Sequence, residues 1–363
     1  MPLFLPENIT KEDHFSSSLP GFQTAWDSTS LGLIKECPRK YYYSSVLGLR
    51  HNRTKDSFQP NPHLKFGILY HRGHEHYEKA KAAGMPHEEA LTTSLQAVLS
   101  EAGQWEIEIY SDDNGAPFSH YSGTYDKEEA LTQALDLYPE AEYVARWLPF
   151  EASDDLKTTY ILMQALVFYY EHYRNDPAKT LILADGSPAL ELSFNFPIPS
   201  DLTRADEPIL MCGHLDRVVE FLEKIWVVDY KTSKTTMSTK YFNGYSPGNQ
   251  MSLYTFGSQI VLGEPASGVM IDGVQVAKGF ARFARGFAPR SRANLSEWFE
   301  DFNTWLKIAY RFAEEGNWPQ NDTACSKFAG CQFRNICANS PAARERYIRS
   351  DFHQEYWRPL EAR

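Results

Sequence analysis

The chain has 363 residues, 42% hydrophobic and 14% aromatic, enough for one large packed core with an insertion and too much for a disordered segment. Its 36 basic and 47 acidic residues give a net charge of −11, which excludes a uniformly basic coat and leaves any polyanion contact to local patches. No apolar run reaches the roughly 18 residues of a membrane span, and Met1–Thr10 lacks the basic start and long apolar core of a signal peptide, so a soluble cytoplasmic protein is expected.

Residues 1–64 read as an amino-terminal segment carrying Cys37, with Lys35, Arg39, Lys40 and Arg50 as a small basic patch around it. Residues 65–83 read as a helix that puts His71 and Glu75, four apart, on one face. Residues 84–178 mix acidic clusters with apolar helical patterns and are expected to form a mainly helical insertion. Residues 179–317 supply the core. There, runs of β-branched and aromatic side chains at about 189–196, 209–220, 224–231 and 268–277 predict strands of a mixed sheet. The apolar stretch from Gln250 to Leu262 predicts a helix packed on that sheet, and a last long helix should bury Trp298, Phe302, Trp305 and Ile308. Residues 318–363 form a cysteine-rich end.

The segment from Gly213 to Lys231 is the most informative. A turn symmetric about Leu222 and Glu223 would set Asp216 opposite Asp229 on two antiparallel strands. Directly paired residues hold their Cβ atoms roughly 4.5 to 5.5 Å apart, and two carboxylates so close repel unless a cation lies between them. Strand alternation brings Lys231 to the face of Asp229 while Tyr230 points away. A magnesium or manganese ion held by oxygen ligands polarises a phosphoryl oxygen and generates hydroxide near neutral pH, and a neighbouring lysine orients the water or offsets developing charge. His71 is a candidate further ligand, and Glu191, in the alternating run ALELSF, a candidate additional acid. Gln250 and Tyr254, four apart, offer an amide and a phenol to a phosphate or base. An isolated Asp-x-Lys can also be an ordinary surface hairpin.

Five cysteines are present: Cys37, Cys212, Cys325, Cys331 and Cys337. An odd total without a signal peptide argues against a disulfide framework and for a metal or redox site. Four thiolates can bind a 4Fe-4S cluster or structural zinc, and the absence of Cys-x2-4-Cys knuckles favours the cluster. Cys212, inside a strand, reads as a small buried hydrophobe. A group shared by Cys37 and the three carboxy-terminal cysteines would clasp the two ends of the chain, and links closing long loops remove the most unfolded-state entropy.

Val276–Arg292 holds Lys278, Arg282, Arg285, Arg290 and Arg292 without any acid, interleaved with Phe280, Phe283 and Phe287. Arginines among aromatic rings track a phosphate backbone while stacking bases, which makes this stretch a candidate single-strand contact. The alternative is phenylalanines packed in a core with solvated arginines.

The series His71, Asp216, Asp229-Tyr230-Lys231, Gln250-x3-Tyr254 resembles the RecB-type branch of the PD-(D/E)XK nuclease superfamily over roughly residues 28–340. The resemblance implies an α/β restriction-endonuclease-like core, a mixed sheet flanked by helices, with a helical insertion and an iron-sulfur clasp. It implies that His71, Asp216 and Asp229 bind Mg2+ or Mn2+, that Lys231 serves catalysis and that Gln250 and Tyr254 hold DNA. Iron-sulfur members of the branch place one cysteine before the core and three after it, as Cys37, Cys325, Cys331 and Cys337 are placed, although the ending here is C-x5-C-x5-C rather than C-x2-C-x5-C. The implied function is a metal-dependent deoxyribonuclease, an exonuclease on single-stranded or frayed DNA ends, in repair, recombination, phage DNA processing or CRISPR adaptation. Such a protein works alone, as an oligomer, or with a helicase, integrase or recombinase partner. The alternatives are a non-cleaving iron-sulfur DNA-binding subunit of such a complex and a structural zinc protein.

Overall fold

The computed structural model describes residues 14–52, 62–110, 118–122, 127–139, 142–149, 156–203, 207–327 and 330–360. In chain order the elements are β1 (Ala25–Trp26), α1 (Ser28–Glu36), α2 (Pro38–Tyr41), β2 (Leu49–His51), α3 (Pro62–Ala82), α4 (His87–Glu101), β3 (Gly103–Tyr110), β4 (Phe118–Ser122), α5 (Lys127–Leu137), β5 (Glu142–Pro149), α6 (Thr159–His172), β6 (Lys179–Thr180) and β7 (Leu190–Pro197). They continue with β8 (Leu210–Phe221), β9 (Lys224–Ser233), α7 (Thr239–Asn243), α8 (Asn249–Leu262), β10 (Gly268–Ala277), β11 (Phe280–Pro289), α9 (Arg292–Glu315), α10 (Arg334–Ala338), α11 (Pro341–Asp351) and β12 (Phe352–Gln354). Helix α1 starts on a reciprocal cap between Asp27 and Ser30, and α9 on one between Ser291 and Asn294. Among the described residues, no helix is long and apolar enough to cross a membrane.

The central sheet has seven strands, ordered β1-β8-β9-β10-β11, with β6 and β7 also paired to β8. It is mixed: β8 runs antiparallel to β9, β9 parallel to β10, and β1 parallel to β8. The four expected strands are β7, β8, β9 and β10. Leu222 and Glu223 have φ of 52° and 59°, the left-handed pair of a two-residue hairpin turn, so Phe221 pairs with Lys224 and Arg217 with Val228.

Hydrophobic layers cover both faces, as a parallel pair such as β9 and β10 requires. On one side Leu215, Val218, Val227 and Ile271 meet Met251 and Leu253 of α8, Trp298 and Phe302 of α9, and Ile34 of α1. On the other, Val219, Val228, Tyr230 and Val274 meet Phe66, Leu69 and Tyr70 of α3 and Leu162, Leu166 and Tyr169 of α6. Each fully buried side chain of this size contributes roughly 1.5–3 kcal/mol. The ends of the chain are joined as well: β12 pairs with β2, and Tyr41 stacks on Trp26 while its ring also meets Trp318.

The insertion carries, beside its helices α4, α5 and α6, a separate three-stranded antiparallel sheet, β4-β3-β5. Its signal was the alternation Ile107-Glu108-Ile109, which buries both isoleucines against Ala130 and Ala134 of α5. The basic stretch after β10 is itself a strand: Phe280–Pro289 forms β11 and pairs with β10 along its whole length.

Strand β8 positions the site by changing partners. It pairs with β1 at Leu210–Met211 and with β9 only from Arg217 onward, while β9 beyond Val228 continues beside β10 as far as Ser233. The two hairpin strands therefore part at Asp216 and Asp229.

Candidate active site and cysteine pocket

Asp216 and Asp229 occupy the next register position beyond the last paired residues, Arg217 and Val228, and both carboxylates are buried. His71, on one face of α3, reaches into this fork. Its Nδ1 lies 3.2 Å from Asp216 Oδ2, and its Nε2 lies 3.0 Å from the Tyr230 carbonyl oxygen. The Tyr230 amide donates to Asp216 Oδ2 at 3.3 Å, and Lys231 Nζ lies 2.7 Å from both Asp229 oxygens. One imidazole, two carboxylates, one ammonium and one backbone carbonyl thus converge.

The charges explain one another. Burial opposes protonation of His71, but the Asp216 carboxylate beside it raises its pKa above the ordinary value. Burial would raise Asp216, yet the His71 imidazole, aided by Lys231, holds it below the usual carboxylate range. For Asp229 burial prevails, reinforced by the Asp216 charge, and its pKa is raised despite Lys231. Burial disfavours the Lys231 ammonium, but Asp229 more than offsets this and its pKa rises. His71 and Lys231 together provide the positive charge that two buried carboxylates demand.

The donor set suits a hard divalent cation. Asp229 Oδ2 is buried and makes no hydrogen bond, since the Lys231 contact to it is ionic only. The His71, Asp216 and Asp229 donors are set wider than 4.8 Å as a trio; among the described residues the grouping inside that limit is His87, Glu88 and Glu171, on the exposed ends of α4 and α6. Arg174 already neutralises Glu88 there. The Tyr230 carbonyl could not be found from sequence, because a backbone oxygen leaves no residue-type signal.

Glu191 falls between the pairs Leu190–Arg217 and Leu192–Leu215, which places it across from Asp216 in register. It has a φ of 48°, a left-handed conformation that costs a non-glycine residue of order 1–3 kcal/mol and that concentrates at functional sites. Gln250 and Tyr254 come together on α8, where Gln250 Nε2 donates to Tyr254 Oη at 2.9 Å. Helix α8 lies close on β8 because Gly213 and Gly257 both accept the Phe194 ring; a Cβ at Gly257 would stand 2.5 Å from Phe194 Cζ. Two phenols have no counterpart in the sequence motifs: Tyr241 lies within electrostatic reach of Lys231, and Tyr245 within reach of Asp229.

The basic stretch divides. Arg285 is committed inward, with Nε 2.9 Å from Asp272 Oδ2 and Nη1 and Nη2 at 2.7 and 2.6 Å from the Asp176 carboxylate. Arg290 is 7% exposed, donates to Ser252 Oγ at 2.9 Å and to the Gly248 carbonyl at 3.2 Å, and so braces the start of α8. Neither is a free phosphate contact, which corrects the expectation of one continuous nucleic-acid strip. Lys278, Arg282 and Arg292 are exposed, and Arg282 lies over the Phe280 ring. Strand alternation is the cause, sending Phe283 and Arg285 to the α6 side and Arg282 to the other.

Cys37, at the junction of α1 and α2, lines one pocket with Cys325, Cys331 and Cys337. Lys40 and Arg334 share that lining. No three of these sulfurs lie within 4.8 Å of one another among the described residues. Burial raises the Cys331 and Cys337 thiols, against the lowering influence of Lys40 on the first and of Arg39 and Arg344 on the second. Arg39 Nη1 is buried beside them without a hydrogen-bond partner. Cys212 is fully buried and its thiol pKa is pushed far up by burial, in keeping with a hydrophobic role.

No curated protein matches the chain. A solved structure titled "Crystal structure of SSO0001" aligns at 12% identity and a TM-score of 0.30, covering 88% of this chain and 86% of that one, too slight a likeness to carry an argument. The family model of the PD-(D/E)XK nuclease superfamily matches residues 28–338, a span that holds the whole constellation from His71 to Tyr254 and all five cysteines. The chain belongs to the PD-(D/E)XK nuclease superfamily, a superfamily of metal-dependent nucleases.

Proposed function

We propose that the protein is a Mg2+- or Mn2+-dependent deoxyribonuclease of the RecB-type branch, acting as an exonuclease on single-stranded or frayed DNA ends. The observation that carries this is the convergence of His71, Asp216, Asp229, the Tyr230 carbonyl and Lys231 where β8 and β9 part.

His71, Asp216, Asp229 and the Tyr230 carbonyl would hold the metal, with Glu191 as the nearby further acid. When bound, the metal supplies Lewis-acid activation of the phosphodiester and of water. The remaining work belongs to the chain. Lys231, freed from Asp229, orients the attacking water and offsets charge on the phosphoryl oxygens. Gln250 and Tyr254 hold the strand from α8, and Lys278, Arg282 and Arg292 offer exposed cations to more distant phosphates.

The four-cysteine pocket supports a 4Fe-4S cluster as a structural clasp. The cationic Lys40, Arg39 and Arg344 and the orphaned Arg39 Nη1 suit an anionic group held by these thiolates. A helicase, integrase or recombinase partner, or self-assembly, fits such a subunit. The second reading, a non-cleaving iron-sulfur DNA-binding subunit, is disfavoured because Lys231 and Asp229 are retained in contact.

The test is degradation of end-labelled single-stranded and duplex DNA by anaerobically purified protein with Mg2+ or Mn2+, beside Lys231→Ala. Metal-dependent loss of label that disappears in the variant supports the reading, and the label lost first gives the polarity. DNA binding without cleavage by the wild type moves the weight to the non-cleaving subunit.

A further inference from the structure

A short segment crosses the sheet face that carries the active-site side chains. Along β9, Val227, Asp229 and Lys231 alternate to the α8 side, and the register sets Ile271 beside Asp229 and Gly273 beside Lys231 on β10. On β11, Gly286 continues the row of Asp229, and Ala284 that of Lys231. The two glycines leave two gaps on this face. Met237 Sδ fills the first and the Phe242 ring the second, and a Cβ at either glycine would overlap them. Neighbouring strands stand about 4.8 Å apart, so Met237, seated one strand from Lys231, brings α7 to the edge of the site.

Two phenols follow from that seating. Tyr241 directly precedes Phe242, and Tyr245 lies four residues beyond Tyr241; both are half-buried, and α7 has no fully buried residue. Their rings meet edge to face at 5.6 Å, and Tyr245 Oη donates to Tyr241 Oη at 3.1 Å. Burial, then the Tyr241 contact and the Asp229 charge, raise the Tyr245 pKa and keep it a donor. Tyr241 accepts that hydrogen and makes no other hydrogen bond among the described residues, so its own hydrogen is available to an acceptor from outside. Arg290 fixes the link onward to α8 by donating to the Tyr245 and Gly248 carbonyls. The site opens on this side: the Lys231 side chain is 27% exposed, against 2% for Asp229.

We propose that the Tyr241 hydroxyl, held in place by Tyr245, donates to a non-bridging oxygen of the phosphate that is cut beside Lys231. The inference rests on the nuclease reading of that site. Phenol hydroxyls are ordinary partners of nucleic-acid phosphates, and a neutral donor next to the Lys231 ammonium adds a hydrogen bond without adding charge. Tyr241 thereby extends to the Lys231 side the strand-holding set of Gln250 and Tyr254. It binds the phosphate and moves no proton, so its loss falls on substrate binding.

The test is steady-state cleavage of a single-stranded oligonucleotide with Mg2+ by wild type, Tyr241→Phe and Tyr241→Leu. Tyr241→Phe keeps the ring and removes only the hydroxyl. It should raise KM about tenfold, as loss of one hydrogen bond to a charged group does, with kcat within about threefold and the thermal midpoint unchanged. Tyr241→Leu should add little to that loss. Tyr241→Phe matching the wild type overturns the proposal, and a defect confined to Tyr241→Leu then assigns the ring to base stacking. A binding measurement separates contact from displacement of α7. In Lys231→Ala protein, which should bind without cutting, a neutral methylphosphonate at the linkage that the wild type cuts should cancel the affinity difference made by Tyr241→Phe; an undiminished difference sinks the idea. Wild type that cuts DNA while both readouts stay unchanged removes this inference alone; wild type that neither binds nor cuts DNA removes it together with the nuclease reading.

Discussion

His71 Nδ1 lies 3.2 Å from Asp216 Oδ2, and this contact fastens helix α3 to the strand β8 at the point where β8 and β9 part. The opposite ring nitrogen faces the Tyr230 carbonyl, so without metal both nitrogens meet oxygens and the ring favours its charged form.

That protonation sets a pH dependence. Because the folded pKa of His71 is raised above 6.5, its contribution to stability is fully present below the unfolded value and is lost as pH rises through the folded one. Metal requires the neutral ring, so Mn2+ affinity should rise with pH across this range, with proton release. Calorimetry in buffers of different ionisation enthalpy reads the release directly. His71→Ala should diminish it; identical release in the variant would refute a His71 ligand.

Arg285 and Arg282, three residues apart on β11, should behave oppositely. Arg285→Met leaves the buried Asp272 carboxylate with only its Tyr169 hydrogen bond and half-buried Asp176 without its ion pair, and should cost about 3–5 kcal/mol in denaturant unfolding. Arg282→Ala, at an exposed position, should change stability by less than about 0.5 kcal/mol, its effect appearing in the salt dependence of DNA binding. Equal destabilisation by the two would contradict the inward assignment of Arg285.

The hairpin turn carries avoidable strain. Leu222 and Glu223 both hold positive φ, which costs a residue with a Cβ roughly 1–2 kcal/mol, and Asn-Gly adopts this turn without it. Replacing Leu222→Asn and Glu223→Gly together should stabilise the protein by about 1 kcal/mol while leaving cleavage unchanged. A lower thermal midpoint would mean that the exposed Leu222 side chain has a use the turn geometry does not reveal.

The cysteine pocket makes a coloured prediction. On the proposed cluster reading, wild-type protein purified anaerobically should show visible absorption and acid-labile sulfide, and Cys331→Ala should lack both and denature at a lower temperature, because the proposed link between the Cys37 segment and the carboxy-terminal end would be lost. Full iron content in the variant would rule out Cys331 as a ligand, and stoichiometric zinc in the wild type would replace the cluster with the smaller metal.

Much of the site is legible in the residue pattern alone. The run Gly213–Lys231 carries two strand patterns and a turn of the right length, and the symmetric turn about Leu222 and Glu223 is the one observed, so the approach of Asp216 to Asp229 follows from period-two alternation. Helical spacing likewise puts Gln250 beside Tyr254. Local periodicity suffices wherever neighbours in space are neighbours in sequence. It fails for β11, whose arginines look alike in composition and differ only because Asp272 and Asp176, one from the adjacent strand and one from beyond α6, stand on one side of the strand. It cannot show that α3 delivers His71 to the Tyr230 carbonyl, that Glu191 adopts a left-handed backbone across from Asp216, or that Met237 and Phe242 seat α7 on Gly273 and Gly286. These depend on segments far apart in the chain packing together, and on the burial that results, which residue types and spacing do not encode.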